Sequence, residues 1–172
     1  MAVSLYDLSV ASYLQTLGGV ARVLEKGATY AKENGIDAAE LVTTSLHPDM
    51  KPLHFQIVSV YHHSLGAIRG IRNGLFTPPP DMNLDYAGLQ GLVEEAVSEL
   101  QGISRGDMDA LENRALQFKA GSFELPFTGG NFILSFSLPN FYFHATTAYD
   151  ILRMVNVPLG KLDYLGNMRV GG

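Results

Sequence analysis

The chain contains no cysteine, which excludes a thiol nucleophile, a disulfide framework and any cysteine-ligated zinc or iron–sulfur centre. Charge is also sparse: 17% of the 172 residues are charged, and 17 acidic against 12 basic side chains leave a net charge of -5. Phosphate-backbone binding needs a positive footprint, so nucleic acid is not an expected partner. No stretch approaches the ~18 uninterrupted apolar residues of a membrane span, and the N-terminus has no basic segment ahead of an apolar run. A soluble cytoplasmic protein without a membrane partner is the expectation. What the sequence does hold is apolar weight, 47% of its residues. At this length one fold removes roughly 70% of the unfolded chain's surface from water, enough to be stable without a metal or disulfide staple. A single domain over residues 1–172 follows.

The apolar residues fall into helical periods. Val3, Asp7, Val10, Leu14, Leu17, Ala21, Leu24, Ala28 and Ala31 alternate three- and four-residue steps, which predicts one long amphipathic helix ended by Asn34-Gly35. Asp37 to Val42 reads as a short extra turn of helix. A second helix starts at Pro52, with the stripe Leu53, Ile57, Val60, Ser64, Ala67 or Ile68, and Ile71, and stops at Asn73-Gly74. Thr77-Pro-Pro-Pro-Asp81 breaks the chain. A third helix, capped by Asn83 or Asp85, carries Tyr86, Leu89, Val93, Ala96, Leu100 and Ile103 on one face. Ser104 to Asp107 allows a break, with another turn expected over Met108 to Arg114.

The period then changes to two. Leu116 and Phe118, then Phe123, Leu125 and Phe127, predict a small β-hairpin turning at Ala120-Gly121, with its apolar face against the helices. Thr128-Gly-Gly-Asn131 opens a fourth helix that must kink or restart at Pro139. Phe141, His144, Ala148, Ile151 and Val155 form its stripe, and Asn156-Val-Pro158 ends it. Leu159 to Gly172 reads as an irregular tail. The predicted fold class is all-α, a four-helix bundle with a small β-hairpin inserted before the last helix.

Several strings carry a resemblance. Pro48-Asp-Met-Lys-Pro-Leu53 with Gln56, Leu138-Pro-Asn-Phe-Tyr-Phe-His144, Ala148-Tyr-Asp-Ile-Leu-Arg153 and Gly160-Lys-Leu-Asp-Tyr-Leu-Gly166 resemble an uncharacterised bacterial family of unknown function within the DinB/YfiT-like superfamily. That resemblance implies a four-helix bundle and a superfamily whose better-known members bind a divalent metal and include thiol-dependent transferases and isomerases. It implies a metal held by a histidine of the second helix and a His-x-x-x-His pair of the fourth. His144 matches the first of the pair, but Ala148 stands at the second. His62 and His144 are then the metal candidates, with Tyr149 or Asp150 as substitutes for the missing ligand. A catalytic zinc normally has three protein ligands and an open position, so two imidazoles make a poor site.

Two polar residues interrupt otherwise apolar stripes, Asp7 and His144. Either Asp7 orients His144 as a general base at a pocket, or Asp7 caps a helix start while His144 bonds a backbone carbonyl or a hydroxyl such as Tyr6 or Ser9. His144, Asp7, Asn140 and Tyr149 are the candidate lining of a small-molecule pocket, and no residue is assigned a catalytic role. The phenylalanines from Phe132 to Phe143 are expected at the seam between hairpin and last helix. On the second helix Phe55, Ser59, His62, Gly66 and Gly70 share a non-core face that would suit a homodimer. Three readings stand: a small-molecule-binding bundle, a metal-dependent enzyme, or a dimeric interaction module.

Overall fold

A computed structural model describes residues 3–170. The chain is mostly helical, with a small sheet of three strands. Ser4 starts the first helix, α1 (Leu5–Leu8), through a capping box: its hydroxyl accepts from the Asp7 amide, and the Asp7 carboxylate accepts from the Ser4 amide. The expected single long helix is therefore interrupted at Ser9, whose hydroxyl donates to the Leu5 carbonyl over 2.6 Å. From there α2 (Val10–Asn34) runs to Gly35, which ends it in the left-handed region at φ 64°. Tyr13, Leu17, Val20, Leu24 and Ala31 form its buried face.

After α3 (Ala38–Thr43), capped by Asp37, the second long run comprises α4 (Leu53–Tyr61), a π-helical turn at His62–Gly66, and α5 (Ala67–Asn73). Every residue of the predicted stripe from Leu53 to Ile71 is buried. The chain then forms β1 (Leu75–Phe76), and Asp85 caps α6 (Tyr86–Gln101), its carboxylate accepting from Gly88 N–H at 2.8 Å. Ser104 starts α7 (Arg105–Asp109), where a break was expected. The hairpin is present as β2 (Ala115–Ala120) and β3 (Phe123–Thr128), paired from Ala115–Thr128 to Ala120–Phe123. Gly121, at φ 61°, supplies the positive angle its two-residue loop needs. The two-residue β1, too short to register as a period of two, adds in parallel beside β2, Phe76 opposite Phe118.

Thr128 caps α8 (Gly129–Phe132), which passes through a second π-helical turn, Ile133–Ser137, into α9 (Leu138–Met154). The restart expected at Pro139 thus takes the form of a wide turn just ahead of it. The end of the chain is not an irregular tail throughout. Gly160 N–H donates to the Asp163 carboxylate at 2.8 Å and opens α10 (Lys161–Leu165), which lies on α2. Gly19 permits that approach, because a Cβ there would overlap the Tyr164 carbonyl.

The long segments α2, α4–α5, α6 and α9 pack on one another around one apolar core, with the sheet against the π-helical turns. Phe76 meets Phe132 edge-on at 4.9 Å between ring centroids, and Phe118 and Phe127 lie against Phe136. Three buried hydroxyls tie the core helices together. Tyr86 donates to the Leu24 carbonyl across 2.8 Å, in space that only Gly27 leaves open. Ser137 donates to the His63 carbonyl at 2.6 Å, which spends its one proton, so the Tyr13 hydroxyl donates to Ser137 Oγ at 3.0 Å. Among the described residues no helix is long and apolar enough to cross a membrane.

Ser137→Ala leaves the His63 carbonyl and the Tyr13 hydroxyl without partners in a dry interior, and should cost about 1–3 kcal/mol of unfolding free energy. Tyr13→Phe removes only a donor and should cost less. Urea unfolding of both variants measures the difference.

Candidate functional site

The π-helical turn at His62–Gly66 holds two adjacent imidazoles, and α9 brings a third. His144 is half-buried, and its Nδ1 lies 2.7 Å from Gln56 Oε1. Gln56 Nε2 in turn donates to the Lys51 carbonyl at 2.8 Å. That second bond orients the amide, so its oxygen faces the imidazole and Nδ1 of His144 must carry the proton. Phe55 and Phe143 flank the ring edge-on, at 5.7 and 5.2 Å between centroids.

His63 lies beside His144 with the two rings nearly parallel, 15° apart at 5.9 Å. It is 8% exposed, and its Nδ1 is buried without a hydrogen-bond partner. Such a nitrogen costs folding free energy of about 1–3 kcal/mol. His62, the neighbour, is tied elsewhere. Its Nε2 is 2.7 Å from the Thr77 carbonyl, to which it donates, and its ring stacks on Phe76 at 4.3 Å.

All three imidazoles are held neutral. Burial pushes His144 down to about 4. Burial, and then the nearby His62 and His144, bring His63 down to about 3. Burial also lowers His62, against the opposing bond to Thr77.

The residues singled out in the sequence are brought together only in part. Asp7 does not pair with His144. It is the third residue of a four-residue helix, so its carboxylate turns back to Ser4, and Arg105 grips both its oxygens at 2.7 Å. Those bonds, that of Arg105 foremost, hold its carboxyl well below the usual range. The capping alternative is what the structure contains. Asn140 donates to the Phe136 carbonyl at 2.7 Å within its own helix, and Tyr149 packs on Tyr164. Neither joins the imidazoles through a hydrogen bond. Of the two metal candidates, His62 is not the residue stacked against His144; His63 is. Of the face of the second helix expected to suit a homodimer, Ser59 and Gly70 are buried within the chain, the latter under Phe76, while Phe55, His62 and Gly66 stay half-buried.

In the sequence Gln56 stands out only within a string that carries the resemblance, and neither it nor His63 is among the site candidates read there. The seven-residue step between them was the available signal, since two helical turns return to nearly the same face.

The imidazoles do not fit a three-ligand metal centre. Ala148 is buried where the second histidine of the pair would stand, His144 Nδ1 is committed to Gln56, and His62 Nε2 is committed to Thr77. Among the described residues no group of three or more His, Asp or Glu is placed to hold an ion.

The surface also has clefts away from this cluster. One, about 460 Å³, lies between α2 and α6 and is lined by Gly18, Ala21, Arg22, Glu25, Gln90 and Glu94. The imidazoles are instead bordered by aromatic rings, with one ring nitrogen buried and unpaired.

The sequence matches the Domain of unknown function (DUF1993) over residues 5–165, and the chain belongs to that family. It is also similar to the crystal structure of a DinB family member protein from Shewanella denitrificans. The two are 26% identical, the match covers 98% of this chain and 95% of that one, and the TM-score is 0.79. Among curated proteins none matches. The family is an uncharacterised, DinB-like one.

The neutral imidazoles set the sign of the pH dependence. Between the unfolded value near 6.5 and the folded values, the unfolded chain binds more protons than the native one. Stability should be flat above about pH 7 and fall as pH drops toward 4, each imidazole adding a slope of up to about 1.4 kcal/mol per pH unit. His144→Gln should remove its share of that slope, and Asp7→Asn should leave it in place. Unfolding free energies from pH 4.5 to 8 for the three proteins test this.

Proposed function

We propose that this DUF1993 member is a four-helix bundle of the DinB-like kind that binds a small uncharged molecule at the stacked imidazoles of His63 and His144. The observation that carries the reading is the buried, unpartnered Nδ1 of His63 beside a second neutral imidazole. Buried polar groups in native proteins are nearly always satisfied, and an exception calls for a reason. A binding role supplies one, since a ring with nothing to donate to at its enclosed Nδ1 keeps its proton on the opposite nitrogen, Nε2, where a ligand can meet it. The surroundings have the character of a ligand site, with aromatic side chains around a few convergent polar groups. Phe55 and Phe143 form the rim, the latter 56% exposed, while Phe76 and Phe136 lie behind His63. The two imidazoles themselves carry no charge at neutral pH, since burial holds them neutral, and the fixed charge at the rim is Lys51, whose ammonium lies over the Phe55 ring at 5.9 Å.

His63→Phe separates function from stability. It replaces the unpaired ring by an apolar one of similar shape, so the free protein should be as stable as the parent or more stable by about 1–3 kcal/mol. Binding at the imidazoles should weaken at least tenfold. A screen of uncharged fragments, with hits mapped by NMR shift changes onto His63, His144 and Phe143, provides the probes. Absence of hits at these residues, together with a destabilised His63→Phe, would overturn the proposal.

A further inference from the structure

The two stacked imidazoles differ in what they offer a ligand. His144 gives its Nδ1 proton to Gln56, whose orientation is set by the Lys51 carbonyl. Its Nε2 therefore bears a lone pair. That nitrogen has no partner among the described residues and is not enclosed, so it is an acceptor open to the outside. His63 is arranged the other way. Its Nδ1 is enclosed with nothing to donate to, whereas its Nε2 is not enclosed. A proton on Nδ1 would be a buried donor without an acceptor; on Nε2 it meets whatever lies outside. Orphaned N–H groups are rarer in native interiors than under-used acceptors, so the proton belongs on Nε2. The pair presents one acceptor, His144 Nε2, and one donor, His63 Nε2–H, from nearly parallel rings 5.9 Å apart.

A hydroxyl is the smallest group that answers both. A carboxylate only accepts and would face the lone pair of His144; an ammonium only donates and would face the N–H of His63. Around the pair stand aromatic edges and faces, Phe55 and Phe143 beside His144 and Phe136 beside His63 at 5.7 Å. They favour an apolar, flat body attached to that hydroxyl.

Resting on the ligand-binding reading above, we infer that the ligand class is an uncharged hydroxyl compound with an aromatic body, its O–H donating to His144 Nε2 and its oxygen accepting from His63 Nε2–H. Gln56 is a positioning residue in this arrangement. It touches no ligand and acts by fixing which nitrogen of His144 is bare.

Phenol, toluene and benzoate are matched probes for the full chain, read by long-range proton–nitrogen NMR of the imidazole side chains. The free protein should show His144 protonated on Nδ1 and His63 on Nε2. Phenol should shift the bare Nε2 of His144 and bind at least tenfold more tightly than toluene, with benzoate weaker than phenol. Gln56→Leu should release the tautomer of His144 and reduce phenol affinity at least fivefold. Toluene binding as well as phenol at these residues would overturn the hydroxyl assignment and leave the binding site standing. Preference for benzoate, or a proton found on His63 Nδ1, would overturn the donor–acceptor assignment. No shift with any of the three probes would overturn both this inference and the site itself.

Discussion

One hydrogen-bonded chain holds the imidazole cluster in place: Tyr13 to Ser137, and Ser137 to the carbonyl of His63. It crosses three separate helical segments in the dry interior, where an unpaired carbonyl or hydroxyl is costly and a satisfied one specifies a unique arrangement. Its consequence is geometric. Each end of the Ser137–His63 bond lies in a π-helical turn, so two wide turns face each other, and the backbone groups that such turns free from regular pairing are available to bond across. The His63 backbone is fixed at that point, and its ring is thereby set against His144.

The two wide turns also divide the labour of the helices that carry them. Ahead of the first, α4 buries a regular apolar stripe; behind it, α5 turns Gly70 toward Phe76 and admits the sheet. The second turn lies beneath Phe136, which several aromatic rings share. A helix that needs one face for core packing and another for polar contacts can change register between the two by widening one turn. π-helical turns often occur at functional sites for that reason.

Much of the architecture was legible in the sequence because it rests on period. The stripes from Leu53 to Ile71 and from Tyr86 to Ile103 are buried throughout, and the alternation from Leu116 to Phe127 is a hairpin. Caps were legible where a side chain of the right kind preceded a stripe, as at Asp85 and Thr128. What escaped was structure whose cause lies in tertiary contact. The strand Leu75–Phe76 exists because β2 is beside it, and α10 has only five residues, too few to declare a period. At the site, His144 was legible as a polar intruder in a stripe. Its true partner was not, because Gln56 looks like an ordinary helix residue until the Lys51 carbonyl orients it. Asp7 misled for a complementary reason: a one-residue interruption at Ser9 takes the residues before it out of the long helix's frame.

The seating of α10 on α2 orders events during synthesis. Gly19 meets the Tyr164 carbonyl backbone to backbone, and a Cβ on Gly166 would strike the carbonyl of Gln15. This part of α2 is thus shaped for a segment made about 145 residues later, the span bridged by the Gln15 hydrogen bond being 150 residues. Synthesis makes α2 well before α10 and leaves that strip of helix uncovered until Lys161–Leu165 has emerged. Folding can begin on the ribosome with α2, α4 and α6, but the strip closes only when α10 arrives, and until then it is a surface that other molecules in the cell can reach.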